Sequence, residues 1–320
     1  YIKETTIPKL IEALRDFGKE EIEDAMISIY TGSLQSGNGS IIKEIFGQFF
    51  INMDIEILTY IFEALLEKEN IIENGIVFTP EYIASFIGKN VLDSVEKWSE
   101  DLHIIDPGCG CGIFLVTAIR YMKNRFHVRT KDIVINNIYG IDLEADNVRR
   151  CRKIIKMLVA MEGDEIAESE INIVNADSLK HDWNELFCVE GFDLIIGNPP
   201  YVNVHDMSKE TISFLKENFR TTQTGFYNIY YAFIEHGIKY LKNSGKLSFI
   251  IPNNFLTIKS AADLRNYIQK KKILDTIIDF ADNMVFKPVR TYNCIIVLDK
   301  KENNIFKYSV LEKRDDLEKL

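Results

Sequence analysis

Two groups of residues in this 320-residue chain have the types and spacing that chemistry needs. The first is Asn198-Pro199-Pro200-Tyr201, directly after the apolar run Phe192 to Gly197. Two prolines end strand pairing and fix the backbone just past the strand's carboxyl end, yet both keep their carbonyl acceptors. Asn198 and the Pro199 carbonyl can therefore present two acceptors to one exocyclic amino group, with Tyr201 offering an aromatic face. That is a site for an NH2 on a flat ring. In an open α/β sheet, ligands bind along the edge formed by the strands' carboxyl ends. Taken alone, the same residues also read as a proline turn capping a core strand.

The second group is Asp106-Pro107-Gly108-Cys109-Gly110-Cys111-Gly112, a glycine-rich turn between a strand and the helix expected from Gly112. Glycines let backbone approach a ligand closely. The spacing differs from the dinucleotide pattern GxGxxG, and an Asp just after the strand would repel a pyrophosphate. An uncharged or cationic small molecule suits it better. Asp142 ends the next strand, where a carboxylate can accept both hydroxyls of a ribose. Asp177-Ser178 ends the third, where Asp177 can accept from an adenine amino group. Acids at three successive strand ends describe a nucleoside pocket.

The positioning elements follow from periodicity. From residue 103 onward, strands and helices alternate: strands at His103 to Asp106, Ile138 to Asp142, Ile171 to Ala176 and Phe192 to Gly197, separated by helices from Gly112 and from Glu144 to Ala160. After a polar excursion over 203–225 come a helix from Asn228 to Leu241, a strand from Leu247 to Ile251, a helix from Ala261 to Lys271, and strands at Ile273 to Phe280 and Cys294 to Leu298. The pattern predicts an α/β fold with a mostly parallel seven-stranded sheet and helices on both faces. Thr79 and Pro80 mark a helix start, with Thr as N-cap and Pro at the first helical position. Upstream, residues 7–30, 41–50 and 54–69 carry apolar residues at helical spacing. The predicted division is an acidic α-helical region over residues 1–75 and a catalytic domain over 76–320.

With 46% hydrophobic and 27% charged residues, the chain can bury a large core. The formal charge of −10 is uneven. Residues 1–75 hold 6 Lys/Arg against 14 Asp/Glu, a net of −8, which leaves 32 against 34, or −2, for the remainder. The acidity of the N-terminal part thus does not argue against a phosphate-binding face elsewhere. Five cysteines without a CxxC pair point to reduced thiols, with neither a disulfide framework nor a metal site. No signal pattern or membrane span is present in the sequence, and a cytoplasmic location is expected.

These motifs, in this order, resemble the S-adenosylmethionine-dependent adenine-N6 DNA methyltransferases of restriction-modification systems, over about residues 76–300. Phe78-Thr79-Pro80 resembles the motif that contacts the methionine end of the cofactor, Asp106 to Gly112 the first core motif, Asp142 and Asp177 the ribose and adenine acids, and Asn198 to Tyr201 the catalytic motif. Asn228 to Glu235, Gly245 to Pro252 and Asn283 to Ile296 resemble later motifs, the last supplying a second aromatic wall through Phe286. The resemblance implies a Rossmann-like methyltransferase fold with S-adenosylmethionine as cofactor. It implies cofactor contacts at Thr79, Pro80, Asp106, Pro107, Gly108, Gly110, Gly112, Phe114, Asp142, Leu143, Asp177, Ser178 and Asn198. Catalysis is then expected from Asn198, Pro199, Pro200, Tyr201 and Phe286.

The implied partners are double-stranded DNA with the adenine flipped out and a restriction or specificity domain or subunit, with no membrane. The chain stops soon after the last core strand, so a complete target-recognition domain is expected elsewhere and this part is expected to bind DNA weakly and with little sequence preference. Two rivals stay open. A glutamine-N5 protein methyltransferase shares Asn-Pro-Pro-Tyr, and a non-catalytic cofactor-binding subunit would share the pocket; RNA is a variant substrate of the same chemistry.

Overall fold

The computed structural model describes residues 13–14, 19–31, 38–49, 59, 79–281, 283, 285 and 292–311. The helical pattern expected over 54–69 lies outside the described residues apart from Thr59, as do Phe78 and Phe286.

The core is one eight-stranded sheet in the order β3-β2-β1-β4-β5-β7-β6-β8. Its strands are β1 (Ile104–Asp106), β2 (Ile138–Asp142), β3 (Asn172–Asn175), β4 (Phe192–Gly197), β5 (Leu241–Pro252), β6 (Leu274–Asp279), β7 (Asn293–Asp299) and β8 (Lys307–Val310). Only β7 runs antiparallel, to both β5 and β6. The first seven strands are the expected ones. The eighth, paired parallel to β6, is largely exposed and leaves no alternating apolar signal to read.

β1 is buried at all three positions and β4 at five of six, as strands covered on both faces must be. Helices α3 (Glu81–Leu92), α4 (Ile113–Phe126), α5 (Thr130–Asn137) and α6 (Ala145–Ala160) cover one face. Helices α7 (Trp183–Phe187), α8 (Lys209–Asn218), α9 (Tyr230–Tyr240) and α10 (Ala262–Lys271) lie on the other side of the chain's core. Two apolar clusters result, one per face: Ile104, Leu194 and Ile196 point into the first, Ile105, Ile195 and Phe249 into the second. Two more helices, α1 (Lys19–Thr31) and α2 (Asn38–Phe49), bury Ile22, Met26, Ile42 and Phe46 in the first cluster.

From β1 the chain steps outward to β2 and β3, then returns to place β4 on β1's other side. This reversal opens a crevice at the carboxyl ends of β1 and β4, the place where ligands bind in such sheets.

Candidate functional site

The glycine turn leaves β1 at Asp106, whose carboxyl is 1% exposed. Its Oδ1 accepts from the Gly108 N–H at 3.0 Å, while Oδ2 is buried with no hydrogen-bond partner among the described residues. Burial in this apolar setting pushes the Asp106 carboxyl up to about 8; the Gly108 bond opposes the rise and the nearby Asp142 adds to it. At neutral pH the group therefore carries a proton. Gly110 and Gly112 adopt φ of 52° and 95°, conformations that side chains rarely enter. Gly112 also has no room for a Cβ, which would sit 2.6 Å from Cys151 Sγ on α6. The turn is thus pressed onto that helix.

Asp142, at the end of β2, uses Oδ2 to accept from the Gly110 N–H at 2.8 Å, and Oδ1 to accept from the Glu144 N–H at 2.9 Å and Asn147 Nδ2 at 3.1 Å. Burial raises its carboxyl above the usual range despite these bonds. Asp142 therefore braces the glycine turn. Leu143 beside it is 68% exposed, an apolar side chain at a polar strand end. Asp177 accepts from the Leu179 N–H at 3.1 Å and lies 3.6 Å from Lys180 Nζ, which makes it a turn-stabilising acid in its own right. Ser178 is buried and its hydroxyl donates to the Pro107 carbonyl, tying the third strand end to the first. Phe114 lies in the first turn of α4 with its side chain buried in the core.

At the end of β4, Gly197 is the residue that motif reading passed over. A Cβ there would stand 2.5 Å from Asp106 Oδ1 and 3.1 Å from Asp106 Cγ. Only glycine lets the two strand ends come this close. Asn198 follows, with Nδ2 donating to Thr79 Oγ1 at 3.1 Å. Thr79 does not act as the N-cap of α3: Pro80 holds the cap position, the helix starts at Glu81, and no side chain caps it. The Thr79 hydroxyl is instead committed to a partner 119 residues away in sequence. Pro199 is buried, and Pro200 faces the turn, 4.0 Å from where a Gly108 Cβ would lie.

The Tyr201 hydroxyl donates to the Ile250 carbonyl at 2.9 Å and accepts from Asn293 Nδ2 at 3.3 Å, and its ring meets Tyr230 edge-on at 6.1 Å. Beside it opens a cavity of about 280 Å³ lined by Tyr201, Asn203, Asn228, Pro252, Asn253, Asn254 and Tyr292. Of its asparagines, Asn228 opens one of the later motifs, while Asn203, Asn253 and Asn254 were not singled out from sequence, because Asn residues in loops read as turn formers. Phe286, expected as a second aromatic wall, lies outside the described residues. Among the described residues, no cluster of His, Cys, Asp or Glu is placed to hold a metal ion, and no helix is long and apolar enough to cross a membrane.

Comparison with known proteins places these motifs in a wider set. The family model described as Eco57I restriction-modification methylase matches residues 136–286, a stretch that runs from β2 through the Asn198 corner. The chain is 26% identical over 294 residues to the type II restriction enzyme and methyltransferase RM.Eco57I of Escherichia coli, covering 75% of this chain and 29% of that protein. It therefore spans under a third of that relative. Type II methyltransferase M.BstVI of Geobacillus stearothermophilus is 26% identical over 241 residues, 71% of this chain and 42% of its own. Among solved structures, the type IIL restriction-modification enzyme MmeI in complex with DNA superposes with a TM-score of 0.65 at 16% identity, over 86% of this chain and 44% of that one. The resemblance to restriction-modification methyltransferases and the Rossmann-like methyltransferase fold are both borne out.

Proposed function

We propose that this chain is the catalytic part of a restriction-modification DNA methyltransferase, which moves the methyl group of S-adenosylmethionine to the N6 amino group of an adenine turned out of the duplex. The seam between β1 and β4 carries this reading. Gly197 lies against the Asp106 carboxyl and Pro200 closes toward Gly108, so the turn suited to a cationic cofactor and the corner suited to an amino group form one continuous surface. The type II methyltransferase relatives support the methyl-transfer part of this reading, and because they are much longer, a specificity or restriction domain or subunit completes the proposal.

The donor set fits S-adenosylmethionine, which has an ammonium, a sulfonium, a ribose diol and a flat base. Asp106 brings a buried carboxyl with one oxygen lacking a hydrogen-bond partner among the described residues, complementary to positive charge. Asp142 keeps further lone pairs on Oδ2 for ribose hydroxyls, since a carboxylate oxygen accepts more than one bond. Leu143 presents an apolar face to the base, with Asp177 and Ser178 at its edge. Pro107, Gly108, Gly110, Gly112 and the backbone of Phe114 form the floor, and Pro80 stands at its methionine end. The division at residue 75 is part of the proposal: a catalytic unit over 76–320, with the N-terminal helices seated on it.

When bound, the cofactor supplies an electrophilic methyl whose bond to sulfur breaks as the bond to nitrogen forms, leaving a neutral thioether. Adenine N6 is a poor nucleophile because its lone pair is delocalised into the ring. Asn198 Oδ1 and the Pro199 carbonyl accept its two N–H groups and favour tetrahedral nitrogen as positive charge develops, which stabilises the transition state more than the ground state. Thr79 fixes the rotation of the Asn198 amide, so the acceptor is already oriented. The surplus proton then leaves N6 for solvent, and Asn198 need not act as a base. The cavity beside Tyr201 takes the extruded base, whose stacking on that ring contributes about 1–3 kcal/mol.

Labelled methyl transfer to duplex DNA, RNA and a glutamine-containing peptide, followed by digestion of the product, tests the reading. N6-methyladenine in DNA is the expected product. Methyl label on glutamine amides would replace it with a protein methyltransferase, and bound cofactor without transfer to any pool would mark a non-catalytic subunit.

A further inference from the structure

Glu23, on α1, is 0% exposed and accepts from Arg149 Nη1 at 2.6 Å, Arg150 Nε at 2.7 Å and Lys153 Nζ at 3.4 Å. Burial raises its carboxyl, but the bonds from Arg149 and Arg150 outweigh that and hold it below the usual range, so the group is ionised. All three cations sit on α6. Arg152 on the same helix is held by the Ile173 carbonyl of β3, at 2.9 Å and 2.6 Å. Four cations in five residues along the middle of this helix would repel one another unless a carboxylate were buried among them. Arg150 depends on Glu23 most, since it is itself buried and its Nη1 has no hydrogen-bond partner among the described residues.

The same stretch of α6 builds the crevice. Asn147 donates to Asp142 Oδ1 at 3.1 Å, and Cys151 fills the space that Gly112 leaves. Asn147, Arg150 and Cys151 fall within about 6 Å along the helix axis. A displacement of α6 that loosens the Glu23 cluster must therefore also move the acid at the end of β2 and the glycine turn. We propose that Glu23 is a positioning residue for the cofactor pocket: α1 clamps α6 through Arg149, Arg150 and Lys153, and α6 sets Asp142 through Asn147 and the Gly110–Gly112 turn through Cys151. The inference rests on the reading of that pocket as the S-adenosylmethionine site. It assigns the acidic N-terminal helices a part in cofactor binding, exerted through α6.

The experiment is calorimetric titration of S-adenosylmethionine into the whole chain and its variants Glu23→Gln, Glu23→Asp and Arg149→Gln, with melting temperature and amide hydrogen exchange measured on the ligand-free proteins. Glu23→Gln is expected to weaken cofactor binding by roughly 2- to 30-fold. Faster exchange should appear at residues 108–112 and 142–147 as well as in α6, and Glu23→Asp should recover part of both effects. Arg149→Gln keeps the Arg150 bond and should show the same changes at smaller size, which carries the test if Glu23→Gln does not fold. A lowered melting temperature with parental cofactor affinity and parental exchange at 108–112 would reduce Glu23 to a stabilising ion pair and overturn the proposal. If the parent chain itself does not bind the cofactor, the pocket reading fails; exchange at 108–112 then still decides whether Glu23 sets the turn.

Discussion

Thr79 Oγ1 accepts a hydrogen bond from Asn198 Nδ2 at 3.1 Å, which joins the segment leading into α3 to the polar corner at the end of β4. The bond orients the amide whose oxygen is proposed to meet the target amine. Thr79→Val keeps the shape and removes the acceptor. Methyl transfer is expected to slow roughly 3- to 10-fold, the worth of one hydrogen bond, with cofactor affinity near that of the parent. A Thr79 that instead contacts the methionine end of the cofactor would show the reverse, weakened binding with little change in the transfer step.

Gly197 and Asp106 pack closely across the two halves of the site. In Gly197→Ala the new methyl meets Asp106 Oδ1 at 2.5 Å, and neither strand end is a flexible tip that can yield cheaply. The expected cost is about 1–3 kcal/mol of stability together with loss of cofactor binding. Gly108→Ala serves as the control, since its methyl would meet only Pro200 Cδ at 4.0 Å. That variant should melt like the parent. Equal melting temperatures for Gly197→Ala and Gly108→Ala would contradict the close approach.

Most of the sheet was legible in the chain because its central strands are nearly unbroken apolar runs, and the runs at Ile104 and Phe192 end in residues that stop pairing. Elements that lean on tertiary partners were not. Helix α8 hid in a polar excursion because Leu215 is its only buried residue, and Ser208 caps it with a single bond to the Thr211 N–H. Thr79 followed by Pro80 has the form of a helix start, and the form misled: a hydroxyl serves a local cap or a distant amide, and only the fold decides which. Glu23 and Asp24 are neighbours in an acidic run, one buried among arginines and the other exposed, and nothing in the pattern of the run separates them. Gly197 read as the last residue of a strand because its constraint comes from the next strand over.

The raised carboxyl of Asp106 makes both stability and ligand binding depend on pH. Its folded value of about 8 lies above the usual carboxylate range, so the folded chain holds a proton there that the unfolded chain has released. This contribution to stability is complete below about pH 4 and is lost as pH rises through about 8. Positive charge placed beside the carboxyl favours the ionised form, so S-adenosylmethionine binding should release a proton and tighten with pH, by at most about tenfold per unit, until Asp106 is ionised in the free protein. Asp106→Asn should flatten both profiles and melt at or above the parent near pH 8, where the parent carries a buried charge. Calorimetry in buffers of different ionisation enthalpy counts the protons directly. No proton release near neutral pH would mean that the cofactor's charge lies away from Asp106.

Tyr201 is held at both ends, by its hydroxyl bonds to Ile250 and Asn293 and by the edge of Tyr230 against its ring. The hydroxyl anchors the ring; the ring is proposed to stack on the extruded base. Tyr201→Phe removes the anchor alone and leaves the Ile250 carbonyl and Asn293 amide without that partner, at a cost of about 1–3 kcal/mol in stability. It should retain most of the stacking, whereas Tyr201→Ala should lose it and weaken capture of the base by roughly 5- to 150-fold, the equivalent of about 1–3 kcal/mol. A fluorescent purine at the target position, bright when unstacked, separates the two variants. With the complete protein and its specificity domain or subunit, Tyr201→Phe should give nearly the parental signal, and Tyr201→Ala a changed signal with cofactor affinity preserved. If both variants bind the flipped base like the parent while only their stability falls, Tyr201 is a strand anchor and the base is held by the asparagines of the neighbouring cavity.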